Sequence, residues 1–316
     1  MNAPSGSPLK PKPLRRGARI AYFAPASPPS DPADMQMGIL ELRRLGFDIV
    51  PAHEFLPSGY FAAPAEERFE GFLGALRNPE FDGLVALRGG YGSTYLLDTL
   101  RAEDLGAPKC IIGYSDITVL QTFLWQSSRW VTFHGPMITP GFDHGPNDLR
   151  GFDDESFLNA ISNVSGNWSL NLRGESLHPG ETEGIVLGGC LTMLQTSLGT
   201  PWEIDTEGTI LLLEDTHVKP YQVDRALMHM KQAGKFAKVR GIILGEFPSS
   251  DAPIPNSPTV RAVCKHILTP LGIPIIYGSP VGHAERAMLT IPFGIRARLR
   301  AAGEGTLEFL EPAVKD

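Results

Sequence analysis

Ser115 lies in the run Cys110-Ile-Ile-Gly-Tyr-Ser-Asp-Ile-Thr118, where an apolar strand-like stretch passes into a helical pattern with the serine at the joint. A serine at a sharp strand-to-helix turn is lifted clear of its sheet. The amide of the next residue, Asp116, then lies at a helix N-terminus, where unpaired N–H groups and the dipole favour an oxyanion. This placement suits an acyl-transfer nucleophile. It is half of a nucleophile elbow, because Gly113 fills the first glycine position of G-x-S-x-G and Ile117 stands at the second. The plainer alternative is that Ser115 or Asp116 only caps the helix.

Arg88-Gly-Gly-Tyr-Gly-Ser93 follows another apolar stretch, Leu84–Leu87. Paired glycines let a backbone come close to a substrate, so an amide at Gly89 or Gly90 can supply a second oxyanion donor, and Arg88 can hold a carboxylate. The spacing fits neither G-x-G-x-x-G nor G-x-x-x-x-G-K-[ST], which leaves a nucleotide loop with little support. The alternative is a glycine-rich turn with a solvated arginine.

A serine nucleophile needs a base and an acid that orients it. Of the eight histidines, His283 is distinguished by the Gly/Pro-shaped loop Tyr277-Gly-Ser-Pro-Val-Gly-His283, whose rigid turns can aim an imidazole. The acid has two candidates, Glu214 and Asp215, just past the apolar Ile210–Leu213. For Asp215, an N-cap is the default reading. His283-Ala-Glu285 imitates the H-x-E of zinc deaminases, but no P-C-x-x-C and no H-E-x-x-H accompanies it, so no metal site is expected.

These residues need a scaffold of alternating elements. Strand-like Ile20–Phe23 precedes a helical pattern over Asp31–Leu45, and the alternation continues with strands at Phe47–Val50, Leu84–Leu87, Cys110–Gly113 and Val131–Phe133. Helices are predicted at Ala65–Leu76, Ser93–Leu100 and Asp116–Gln126. Five βα-type units imply a mostly parallel, doubly wound α/β sheet, with ligands at the C-terminal edge of its strands. Periodicity fails from 141 to 183, around a short helix at Glu155–Ile161, and that stretch reads as a linker. Beyond it come helices at Gly188–Leu198 and Val223–Gly234, strands at Thr209–Leu213 and Gly241–Leu244, and a β-rich return over Ala287–Pro312. The predicted layout is therefore a flexible tail over 1–17, a nucleophile domain over 18–140, the linker, and a smaller, β-rich α/β domain over 184–316.

Length and composition agree with this layout. The 316 residues favour two domains, and 42% hydrophobic with 20% charged residues is ordinary globular usage. A net charge of −7 offers no electrostatic footprint for nucleic acid or an anionic membrane. The three cysteines are scattered with no CxxC pair, Met1–Arg16 lacks a signal-like apolar run, and no stretch of about 18 apolar residues occurs. The chain reads as cytoplasmic.

Taken together, the segments resemble the LD-carboxypeptidase family of serine peptidases, the murein tetrapeptide carboxypeptidases. The resemblance runs through Ile20-Ala-Tyr-Phe-Ala-Pro-Ala-Ser27, Arg88-Gly-Gly-Tyr-Gly92, Gly113-Tyr-Ser-Asp-Ile-Thr118, Phe133-His-Gly-Pro-Met137 and Gly188-Gly-Cys-Leu191. It continues through Leu213-Glu-Asp215, Tyr221-Gln-Val-Asp-Arg225, Gly241-Ile-Ile-Leu-Gly245, Gly282-His283 and Leu289-Thr-Ile-Pro-Phe-Gly294. It implies a flavodoxin-like N-terminal domain and a Ser-His-Glu triad of Ser115, His283 and Glu214, with Glu214 chosen over Asp215. The amides of Gly90 and Asp116 would form the oxyanion hole and Arg88 would contact a substrate carboxylate. The implied reaction removes the terminal D-Ala of a murein tetrapeptide during peptidoglycan recycling, with no cofactor, in a homodimer. Cys190 departs from the asparagine more usual in Gly-Gly-x-Leu. Two rival functions are expected to share the scaffold. One is cleavage of aminoacyl-nucleotide conjugates, as in the similar microcin immunity peptidases, with Trp168 as a stacking candidate; the other is silent binding of a peptide.

Overall fold

A computed structural model describes residues 6–251 and 256–316. The N-terminal half builds β1 (Arg19–Phe23), α1 (Pro32–Arg44), β2 (Asp48–Pro51), α2 (Ala65–Arg77), β3 (Gly83–Ala86), β4 (Cys110–Gly113), α3 (Thr118–Ser128) and β5 (Thr132–His134). α1 begins where the Asp31 side chain accepts from the Ala33 amide with proline at the first helical position, and it buries Ile39 and Leu42. β3 and β4 are buried along their whole length, as expected of strands covered by helices on both faces.

The second half contributes α4 (Asp154–Ser162), β6 (Trp168–Asn171), β7 (Glu175–His178), β8 (Gly180–Cys190), α5 (Leu191–Thr196), β9 (Thr209–Glu214), α6 (Pro220–Gln232) and β10 (Gly241–Gly245). It ends with α7 (Val260–Leu268), β11 (Ile275–Ser279), β12 (Ile291–Phe293), β13 (Arg296–Ala301) and β14 (Thr306–Phe309).

The first sheet runs β12-β5-β4-β3-β1-β2. Its parallel part has the order 2-1-3-4-5 of flavodoxin-like folds, with the switch point between β1 and β3. The second sheet has eight strands in the order β6-β14-β13-β8-β9-β10-β11-β7. Its centre, β8 to β11, is parallel, and β6, β7, β13 and β14 add antiparallel edges.

Several local expectations differ from the structure. The stretch 141–183, read as a linker, holds α4 and both edge strands, β6 and β7, of the second sheet. Edge strands with one wet face carry polar residues at alternate positions, so they resemble loop in sequence. The described part of the tail is pinned: Leu9 pairs with Trp130, Leu14 N–H donates to Ile161 O at 2.9 Å, and Lys315 N–H donates to Pro11 O at 2.9 Å. Residues 1–5 lie outside the described residues. The helix predicted over Gly188–Leu198 begins at Leu191, because β8 runs on to Cys190. β12, from the C-terminal return, crosses over and pairs antiparallel with β5, which ties the chain's end to its first sheet.

Candidate active site

Ser115 sits where β4 gives way to a single 3-10 turn before α3, with φ at 63°. A serine rarely occupies this left-handed region, and such strain concentrates at working sites. The glycine loop lies directly against it. A Cβ built at Gly89 would stand 2.9 Å from Ser115 Cβ, 3.1 Å from Oγ and 3.5 Å from the Asp116 amide. Only hydrogen fits there. Among the described residues, neither the Gly90 nor the Asp116 amide has a hydrogen-bond acceptor, so both donors are uncommitted.

The Asp116 side chain has a separate task. Its Oδ2 accepts from the Ser93 amide at 2.7 Å and so ties the glycine loop to the serine turn. Burial raises its proton affinity, opposed by the bonds from the Gly92–Ser93 backbone and by Arg68. Arg68 is buried and donates to the carbonyls of Ala63, Pro25 and Gly92, which fixes the far side of the loop. Arg88 is half-buried, donates to Pro28 O at 2.8 Å and joins no ion pair among the described residues.

Glu214 ends β9 and is fully buried. Its Oε2 accepts twice from His283, from the backbone N–H at 2.9 Å and from Nδ1 at 2.7 Å. Burial opposes ionisation, yet the His283 charge and hydrogen bonds, with help from His134, hold Glu214 below the usual carboxylate range. Burial likewise lowers His283, but Glu214 and then Asp215 outweigh it, so the imidazole is raised above its ordinary value. An ionised carboxylate only accepts, so Nδ1 carries the proton and Nε2 is left as the base. Gly282, at φ +63°, makes this wrap possible, since a Cβ there would stand 2.3 Å from Glu214 Cδ. Glu246, just past β10, grips the next turn through the Glu285 amide at 2.6 Å and the Arg286 guanidinium.

Asp215 takes the capping role instead. It accepts from the Thr192 amide at 2.9 Å and the Thr192 hydroxyl at 2.6 Å at the start of α5.

The two halves meet at the site. The Tyr114 ring, beside Ser115, packs edge-on to His283 with centroids 5.0 Å apart, and Thr118 Oγ1 of α3 accepts from the Cys190 amide at 3.0 Å. Cys190 is buried and registers with Glu214, and burial pushes its thiol well up, so it serves as packing at the junction. Trp168 is placed elsewhere. It stacks on Phe309 at 4.4 Å in edge strand β6, four strand spacings, or about 19 Å, from β9. The sequence reading overlooked His134, which faces Glu214 from β5. Its sequence signals were its place just past the predicted strand Val131–Phe133 and its inclusion in the run Phe133-His-Gly-Pro-Met137 that carries the family resemblance.

Fold and site together define a two-domain α/β protein with a strained serine on one sheet and a Glu–His pair on the other. Residues 20–135 match the LD-carboxypeptidase N-terminal domain and residues 183–299 the LD-carboxypeptidase C-terminal domain. The chain is 32% identical to a probable murein peptide carboxypeptidase of Bacillus subtilis, over 93% of this chain and 92% of that one. It is 29% identical to the microcin C7 self-immunity protein MccF of Escherichia coli, over 92% of each chain. Among solved structures, muramoyltetrapeptide carboxypeptidase from Oxalobacter formigenes superposes with a TM-score of 0.81 at 32% identity, covering 93% of this chain and 99% of that one. MccF in complex with glutamyl sulfamoyl guanosine superposes with a TM-score of 0.88 at 25% identity, covering 98% of this chain and 100% of that one. The protein belongs to the LD-carboxypeptidase family, whose members named here are peptidases and an immunity protein. Among the described residues, no helix is long and apolar enough to cross a membrane.

Proposed function

We propose that the protein is a serine LD-carboxypeptidase that releases the terminal D-Ala of a murein tetrapeptide, with Ser115 as nucleophile, His283 as general base and Glu214 as its orienter. The observation that carries this reading is the buried Glu214 paired at 2.7 Å with the partly exposed His283, next to a serine turn held at positive φ. Ser115 Oγ attacks the carbonyl of the L,D-amide while its proton passes to His283 Nε2. The amides of Gly90 and Asp116 receive the oxyanion, the C–N bond breaks as His283 protonates the leaving amine, and water then cleaves the acyl enzyme. Among the described residues, no hydrogen bond reaches Ser115 Oγ; in free enzymes this contact commonly tightens only with substrate bound. Arg88, without an ion-pair partner among the described residues, is assigned to the terminal carboxylate of the substrate. The setting is cytoplasmic peptidoglycan recycling and the assembly a homodimer, both as the family resemblance implies.

The close superposition on MccF favours a second reading, hydrolysis of an aminoacyl-nucleotide by the same residues. The placement of Trp168 counts against that residue as the base-stacking group. Incubation with murein tetrapeptide, followed by mass, tests the choice. Loss of one alanine with wild type but not with Ser115→Ala supports the carboxypeptidase; no cleavage by folded protein, with turnover of an aminoacyl sulfamoyl nucleoside, replaces it with the second reading. No cleavage of either substrate leaves silent peptide binding.

A further inference from the structure

The two oxygens of Glu214 are not treated alike. Oε2 takes both bonds from His283, whereas Oε1 is buried and has no hydrogen-bond partner among the described residues. His134 Nε2 stands 3.7 Å from that oxygen. His134 is fully buried, and both its ring nitrogens also lack partners among the described residues. Each orphaned buried polar atom is costly, so a facing donor and acceptor that can close by less than an ångström are not a neutral arrangement.

The two side chains belong to different halves of the molecule. His134 ends β5, in register with Gly113 of β4 on one side and Ile291 of β12 on the other. Its ring stacks on Phe293 at 5.2 Å and meets Tyr114 edge-on at 6.1 Å. The titratable groups that face it are Glu214 from β9, His283 from the loop after β11, and Tyr114 from the serine turn. Phe293 closes the remaining face without charge.

We propose that His134 is a positioning residue: a neutral imidazole, protonated on Nε2, that donates to Glu214 Oε1 across the domain junction. The carboxylate is then held at both oxygens, one by the base it orients and the other by the sheet that carries the nucleophile. This fixes where His283 Nε2 stands relative to Ser115. Burial pushes His134 down to about 4, so the ring is uncharged at neutral pH and acts as a dipole. The inference rests on the triad reading, yet it has a readout that needs no substrate.

That readout is the 15N spectrum of the histidine side chains in the wild-type protein. His134 is expected as the Nε2–H tautomer with no titration between about pH 8 and pH 5. A proton on Nδ1, or titration near the ordinary value of about 6.5, overturns the proposal. Kinetics on two variants supply the second test. His134→Leu is expected to lower kcat on the order of 10- to 100-fold with KM nearly unchanged. It should also move the acid limb of kcat/KM to higher pH, since an uncompensated Oε1 charge stabilises the imidazolium of His283. His134→Gln keeps an N–H donor and should recover most of kcat and the wild-type limb. Wild-type kinetics in His134→Leu, or equal losses in both variants without a shift of the limb, refute a positioning role. Turnover retained by Ser115→Ala would remove the peptidase reading and leave the spectroscopic result standing.

Discussion

At the residue scale, Glu214 and His283 set each other's proton affinity, and the direction of each shift makes a prediction. A base that must be neutral loses its function as pH falls through its folded-state value, and Glu214 raises that value in His283. The acid limb of kcat/KM should therefore lie above the 6.5 of a free imidazole rather than at it, as a pH–rate profile on a slow substrate will show. Glu214→Gln removes the charge, so the limb should move down and kcat should fall by roughly 1,000- to 10,000-fold. Ser115→Ala should lose turnover by at least a similar factor while its circular dichroism and melting curve stay those of wild type. These side chains could be picked out in sequence because a serine between strand and helix, a carboxylate past an apolar strand and a histidine in a Gly/Pro loop each carry a local signal. The choice of Glu214 over Asp215 had no such signal. Adjacent residues at a strand end point to opposite faces, and only the packing shows that one faces His283 and the other caps α5.

At the element scale, loops at the C-terminal edges of the two sheets bring the groups together, and their glycines are where the fit is tightest. Gly89→Ala puts a Cβ 2.9 Å from Ser115 Cβ in a loop held by Asp116, Arg68 and the Ser27 amide, so it should reduce kcat sharply and lower the melting temperature as well. Gly74 is a useful control. It lies inside α2 with nothing within 4 Å of a built Cβ, so Gly74→Ala should stabilise by about 0.5–1 kcal/mol in a denaturant titration and leave kinetics unchanged. Gly282→Ala should damage both properties, since its Cβ would strike the Glu214 carboxyl and its φ of +63° suits few other residues. The buried strands β3, β4, β9 and β10 were readable within a residue or so because full burial leaves unbroken apolar runs. The edge strands β6 and β7 were not, since solvated faces break the run.

At the scale of the whole molecule, the proposed catalytic arrangement is assembled where two sheets meet along the surface that holds Tyr114, Thr118, His134, Cys190 and Glu214. The junction has a consequence for acid stability. A histidine whose folded value lies near 4 takes up its proton more readily when unfolded, so His134 lowers stability as pH falls from about 6.5 towards about 4. Glu214, held low, adds a further loss as pH falls through its own folded value. Melting temperature should drop across that interval, and His134→Gln should flatten the upper part of the fall. The α/β class, the mostly parallel character of the first sheet and the separate chemical candidates were legible in the sequence, because local spacing and hydrophobic period are properties of contiguous residues. Tertiary structure alone decided that β12 closes the first sheet, that Trp168 belongs to a distant edge and that His134 faces Glu214, and it supplies the Glu214–His283 contact that the family resemblance had implied. Those facts are relations between residues far apart in the chain, here 80 positions for His134 and Glu214, and no local pattern encodes a distance set by how two sheets pack.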